Sequence, residues 1–80
     1  MKHLAATKRE LTEILVWEHS FLSLTADQKS LCVALHRNSG PMHEDDLASY
    51  LNCTVDELRK TNVGIYGMLI DASTGNYWIK

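Results

Sequence analysis

Three times along this chain a threonine is followed three residues later by Glu or Gln: Thr7-Lys8-Arg9-Glu10, Thr25-Ala26-Asp27-Gln28 and Thr54-Val55-Asp56-Glu57. Each matches the capping box, in which the threonine hydroxyl and the later carboxylate or amide satisfy each other's free backbone N–H groups at a helix start. After the third box comes Met68-Leu69-Ile70-Asp71, the turn Ala72-Ser73-Thr74-Gly75-Asn76, and Tyr77-Trp78-Ile79. Two β-prone runs around a Gly-containing turn predict a hairpin. Short capped helices followed by one ribbon restrict the fold to a small, mainly α domain that closes on a β-hairpin.

The helical segments are delimited by local chemistry. A helix is predicted over Thr25 to Asn38, with Leu31, Ala34 and Leu35 on its buried face and Ser39-Gly40-Pro41 as its stop. The next helix runs from Glu44 to Leu51. Glu44, Asp45 and Asp46 lie in its first turn, where the helix dipole favours acids, and His43 is its cap. Leu47, Ala48 and Leu51 form its buried side. After the corner Asn52-Cys53, the helix opening at Thr54 buries Leu58 and then Ile65. Gly64 is expected inside that helix or at an early end, and Gly67 at its C-terminal cap.

The N-terminal segment is apolar over more than one stripe. Leu11, Ile14, Leu15 and Leu22 share one helical face, and Val16, Trp17, Phe21 and Leu24 lie beside it. A surface helix of a globular domain needs a single apolar stripe. The surplus gives two readings: the helix covers its own domain edge, or it also pairs with a second copy. Leu11, Ile14, Leu15, Trp17 and Phe21 are the candidate interface residues. Residues 1–24 thus form an N-terminal helix, a candidate dimerisation element, ahead of a domain spanning 25–80.

Eighty residues allow one domain. A chain this short buries only about 60–65% of its unfolded surface, so partners or self-association would help stabilise it. The net charge is −2, from eight basic and ten acidic side chains. That balance argues against binding nucleic acid by bulk charge alone. No apolar run approaches a membrane span. Lys8-Arg9-Glu10 interrupts any leader-like segment, so a cytoplasmic location with reduced Cys32 and Cys53 is expected.

Residues 39–58, Ser-Gly-Pro-Met-His-Glu-Asp-Asp-Leu-Ala-Ser-Tyr-Leu-Asn-Cys-Thr-Val-Asp-Glu-Leu, resemble the helix-turn-helix of the winged-helix superfamily. The carriers are the Leu47-Ala48 pair, Leu51, the polar corner Asn52-Cys53, and Leu58. The closing ribbon resembles the family's wing. The resemblance implies a winged helix-turn-helix preceded by an extra N-terminal helix. It further implies a third helix that reads DNA through Thr54, Asp56, Arg59, Lys60 and Asn62. Arg suits guanine and Asn suits adenine through paired hydrogen bonds, while Thr54 and Lys60 suit phosphates. The turn Ala72 to Asn76 is uncharged, and Asp56, Glu57 and Asp71 would lie near phosphate. Many members of this superfamily have exchanged DNA for protein partners, and this charge pattern suits that as well.

Other chemistries are weakly represented. Cys32 and His36 are four apart on a helix, with His43 and Cys53 as conceivable companions, but no Cys-x-x-Cys or His-x-x-x-His occurs. Buried cysteine as a small hydrophobe is the commoner role, so no metal and no cofactor are expected. No glycine-rich phosphate loop and no activated nucleophile is evident, so no catalytic residue is assigned. The sequence therefore points first to a DNA-binding transcriptional regulator acting as a homodimer. Its alternative is a winged-helix protein-interaction module.

Overall fold

A computed structural model describes residues 1–80. Four α-helices and three short strands follow in the order α1 (Lys8–Trp17), α2 (Ala26–Asn38), β1 (Met42–His43), α3 (Glu44–Leu51), α4 (Val55–Asn62), β2 (Met68–Asp71) and β3 (Asn76–Ile79). One 3-10 turn, Phe21–Ser23, links α1 to α2. The molecule is mainly helical, with a small antiparallel sheet in the order β1-β3-β2.

All three threonine caps form. The hydroxyls of Thr7, Thr25 and Thr54 accept from the backbone N–H groups of Glu10, Gln28 and Glu57, and the reciprocal side-chain bond closes the box at Thr7 and Thr25. His43 caps α3 with its ring: Nδ1 accepts from the Asp45 N–H at 3.1 Å. The helix stops are equally local. Ser39 and Asn52 take up the left-handed conformation at φ 60° and φ 56° as the C-caps of α2 and α3.

Helix α2 is the centre of the core and contacts α1, α3, α4 and β3. It therefore buries Cys32 and Val33 as well as the expected Leu31, Ala34 and Leu35. Around it close Ile14, Phe21, Leu47, Leu51, Leu58, Met68 and Tyr77. The sheet turns one face inward. Tyr77 on the middle strand lies opposite Met42 on one side and Ile70 on the other. Leu69 and Trp78 face each other on the outer side, half exposed. The N-terminal segment is tied down by backbone and side chain: Lys2 N–H donates to the Leu51 carbonyl, and Leu4 N–H to the buried Ser30 hydroxyl.

Two helix ends differ from the sequence reading. Helix α1 stops at Trp17, with Glu18 as its cap, and does not run on to Leu24. Leu22 is consequently exposed, while Phe21 turns into the core. Helix α4 ends at Asn62; Gly64 lies beyond it at φ +93°, and Gly67 is not its cap. The reason Gly67 is glycine is steric. A Cβ there would stand 2.0 Å from the Trp17 carbonyl oxygen. No helix is long and apolar enough to cross a membrane.

Candidate functional site

The corner between α3 and α4 is built on fully buried Leu47, Leu51 and Leu58, with the small Ala48 also buried between them. Asn52 and Cys53 turn the chain: the Asn52 N–H bonds the Ala48 and Ser49 carbonyls, and the Cys53 N–H bonds Ala48. Thr54 then starts α4. Because Leu58 faces inward, Asp56, Glu57, Arg59 and Lys60 face solvent.

The five residues proposed to read DNA do not form one free surface. The Thr54 hydroxyl is engaged in the cap. Asn62 is half-buried, with its Oδ1 fully covered and without a hydrogen-bond partner, so its amide is turned toward the protein. Lys60 and Asp56 are exposed. The Arg59 guanidinium is held by Glu44: Nε donates to Oε2 at 3.2 Å, and Nη2 lies 3.1 and 3.0 Å from the two carboxylate oxygens.

The Glu44 carboxylate is only 14% exposed, against 54% for the Arg59 side chain. The pair joins α4 to the start of α3. The hairpin joins the same knot, since the Glu44 N–H donates to the Gly75 carbonyl at 2.8 Å. Gly75 is buried at φ +75°, and a Cβ on it would stand 3.0 Å from His43 Nε2 and 3.1 Å from the Glu44 carboxylate. The positive φ favours glycine, and a Cβ would require the His43 and Glu44 side chains to give by a few tenths of an ångström. The arrangement makes Arg59 a brace among α3, α4 and the hairpin turn. Apart from Arg59, the exposed charged residues of these two helices are Lys60 and the acids Asp45, Asp46, Asp56 and Glu57. The turn itself has no basic residue. Its Asp71 is held below the usual carboxylate range by hydrogen bonds from the Ser73 hydroxyl and N–H.

The candidate interface residues at the N-terminus divide. Ile14 and Phe21 lie within the chain's own core, at 0% and 3% exposure. Leu11, Leu15 and Trp17 pack against that core and are half-buried. Val16 and Leu22 are the apolar side chains this segment leaves open. Three polar contacts that organise the fold escaped the sequence reading: Glu18 with Gly67, Glu44 with Arg59, and Glu10 with Arg37. The one cue was Glu18 itself, a lone acid in the apolar stretch Ile14 to Phe21.

No cluster of three His, Cys, Asp or Glu side chains gathers in a geometry that holds a metal. Cys32 is buried in the core, where desolvation and the nearby Glu18 push its thiol up to about 12. His36 bonds Glu13 at 3.1 Å across α1 and α2. Comparison of the chain with protein-family models, with curated proteins and with solved structures gives no match.

Proposed function

We propose that this chain is a winged helix-turn-helix module whose partner is a protein rather than DNA. The element order, with the hairpin directly behind α4 and β1 paired to β3, supports the winged-helix reading. The observation that carries the choice of partner is the Glu44–Arg59 pair. It occupies the one arginine of α4 and leaves the outer face of α3 and α4 with more carboxylates than cations. A DNA reader needs phosphate neutralisation along its docking face, and that term supplies most non-specific affinity. Here Lys60 alone is free to do this, beside Asp56 and Glu57. The DNA-binding regulator expected from the resemblance would require Arg59 to leave Glu44 on binding.

The test is a titration of the full chain with mixed-sequence duplex DNA from low to physiological salt. The expected result is no saturable binding, in wild type and in Glu44→Gln alike. Binding whose log affinity falls linearly with log salt, weakened by Arg59→Ala and Lys60→Ala, would overturn the protein-partner reading in favour of a DNA-binding regulator.

A further inference from the structure

The large apolar side chains most open to solvent are Val16 at 74%, Leu22 at 66%, Val63 at 73% and Tyr66 at 75%. Val16 and Tyr66 both line a groove of about 590 Å³ between the end of α1 and the loop that follows α4. Val63 stands three residues before Tyr66, and Leu22 two residues after Ser20, which also lines the groove. One surface thus offers a concavity and, on its wall, the most exposed apolar side chain of the chain. The frame is internally bonded. The Gly67 N–H donates to the buried Glu18 carboxylate at 2.6 Å, and the Lys80 N–H donates to the Gly67 carbonyl at 3.0 Å. Gln28 holds the loop by donating to the Val63 carbonyl at 2.8 Å. A groove fixed in this way loses little conformational freedom when it is filled.

Charge narrows the occupant. The lining carries one lysine, Lys80, and one carboxylate, Glu18, which is taken up by the Gly67 N–H and the Ser20 hydroxyl. The balance favours neither an acidic nor a basic segment. The chain itself supplies a neutral one. Residues Thr61 to Ile70 contain no charged side chain, and they carry Val63 and Tyr66. A balanced groove and an uncharged, aromatic-bearing segment therefore lie side by side on the same molecule.

We propose that two copies of the chain pair through this face about a twofold axis, each placing its Tyr66 in the other's groove. A twofold contact sets the same patch against itself, so one patch must supply both what projects and what receives. This one does. A cavity of about 150 Å³ already holds a benzene ring, so the groove has room for a phenol ring. Lys80 at its wall suits the face of that ring, which attracts an ammonium group. Pairing covers Val16 and Leu22, where folding leaves the apolar surplus of the N-terminal segment open. The contact goes beyond the protein-partner reading and uses neither Arg59 nor Lys60, so the two stand or fall separately.

The test is sedimentation of the full chain from micromolar to millimolar concentration, beside Tyr66→Ala and Leu69→Ala. Both substitutions fall on exposed side chains, and Leu69 is outside the groove. The wild type should form a dimer. Tyr66→Ala should weaken it at least roughly tenfold, as truncation of a central aromatic anchor does, and Leu69→Ala should leave it unchanged. In a dimer mixed from isotope-labelled and unlabelled copies, a nuclear Overhauser contact should join the Val16 methyls of one copy to the Tyr66 ring of the other. A chain that stays monomeric at millimolar concentration, a dimer unmoved by Tyr66→Ala, equal weakening by Leu69→Ala, or open-ended assembly beyond the dimer would overturn the proposal. None of these outcomes bears on whether the chain binds DNA, which the salt titration decides.

Discussion

The Glu18 carboxylate accepts a hydrogen bond from the backbone N–H of Gly67 at 2.6 Å, across 49 positions of sequence, and both residues are buried. This contact fastens the end of α1 to the start of β2. It also accounts for two features that lie far apart in the chain. Glu18 ends an apolar helix because its carboxylate satisfies a backbone donor that the sheet leaves over. Gly67 lacks a side chain because the same approach brings the Trp17 carbonyl against its Cα.

Replacing Glu18 with Ala strands the buried Gly67 N–H, a loss of about 1–3 kcal/mol. Glu18→Gln keeps an acceptor and should lose less. Urea unfolding followed by tryptophan fluorescence checks the order, wild type above Gln above Ala in midpoint. Equal midpoints for Gln and Ala would show that the acceptor itself contributes nothing.

Gly67→Ala forces a methyl group against backbone, which cannot rotate away. Overpacking of this kind costs about 1–3 kcal/mol. Gly40 is the control, because a Cβ there meets nothing within 4 Å. Thermal unfolding should show a marked drop for Gly67→Ala and a change within about 0.5 kcal/mol for Gly40→Ala.

Tyr77 offers a prediction of the opposite sign. Its ring is completely buried on the middle strand, and its hydroxyl has no hydrogen-bond partner in the chain. Desolvation, with the nearby Glu44, pushes the phenol up to about 12. A buried unpaired hydroxyl is a cost of folding, so Tyr77→Phe should leave stability unchanged or raise it by about 1 kcal/mol. A loss above that, measured by denaturant unfolding, would mean the hydroxyl is bonded in solution.

Glu10 links folding to pH. Hydrogen bonds from Arg37, and secondarily from the Thr7 N–H, lower its carboxyl from the ordinary 4.5 to about 2. The folded value lies below the unfolded one. The contribution is therefore complete above 4.5 and is lost as pH falls toward 2. Arg37→Gln should return the Glu10 titration, followed by carboxyl carbon NMR, toward the ordinary value. It should also flatten the acid limb of the stability profile. An unmoved Glu10 titration in that variant would reassign the shift to the Thr7 cap.

The helix starts were legible at Thr7, Thr25 and Thr54 because a cap is satisfied within three residues of chain, and sequence spacing alone specifies it. The hairpin runs and the buried Leu47, Ala48, Leu51 and Leu58 followed from periodicity of similarly short reach. The C-terminal ends of α1 and α4 were not legible. Apolar spacing carried α1 on toward Leu24, yet Glu18 terminates it for a partner at Gly67. Arg59 had the composition of a reading residue, and only the fold set it against Glu44, fifteen residues earlier. The division has one physical cause. Caps and turns are closed by neighbours in the chain, whereas a buried carboxylate or a guanidinium takes the partner that packing of distant segments brings within hydrogen-bonding distance.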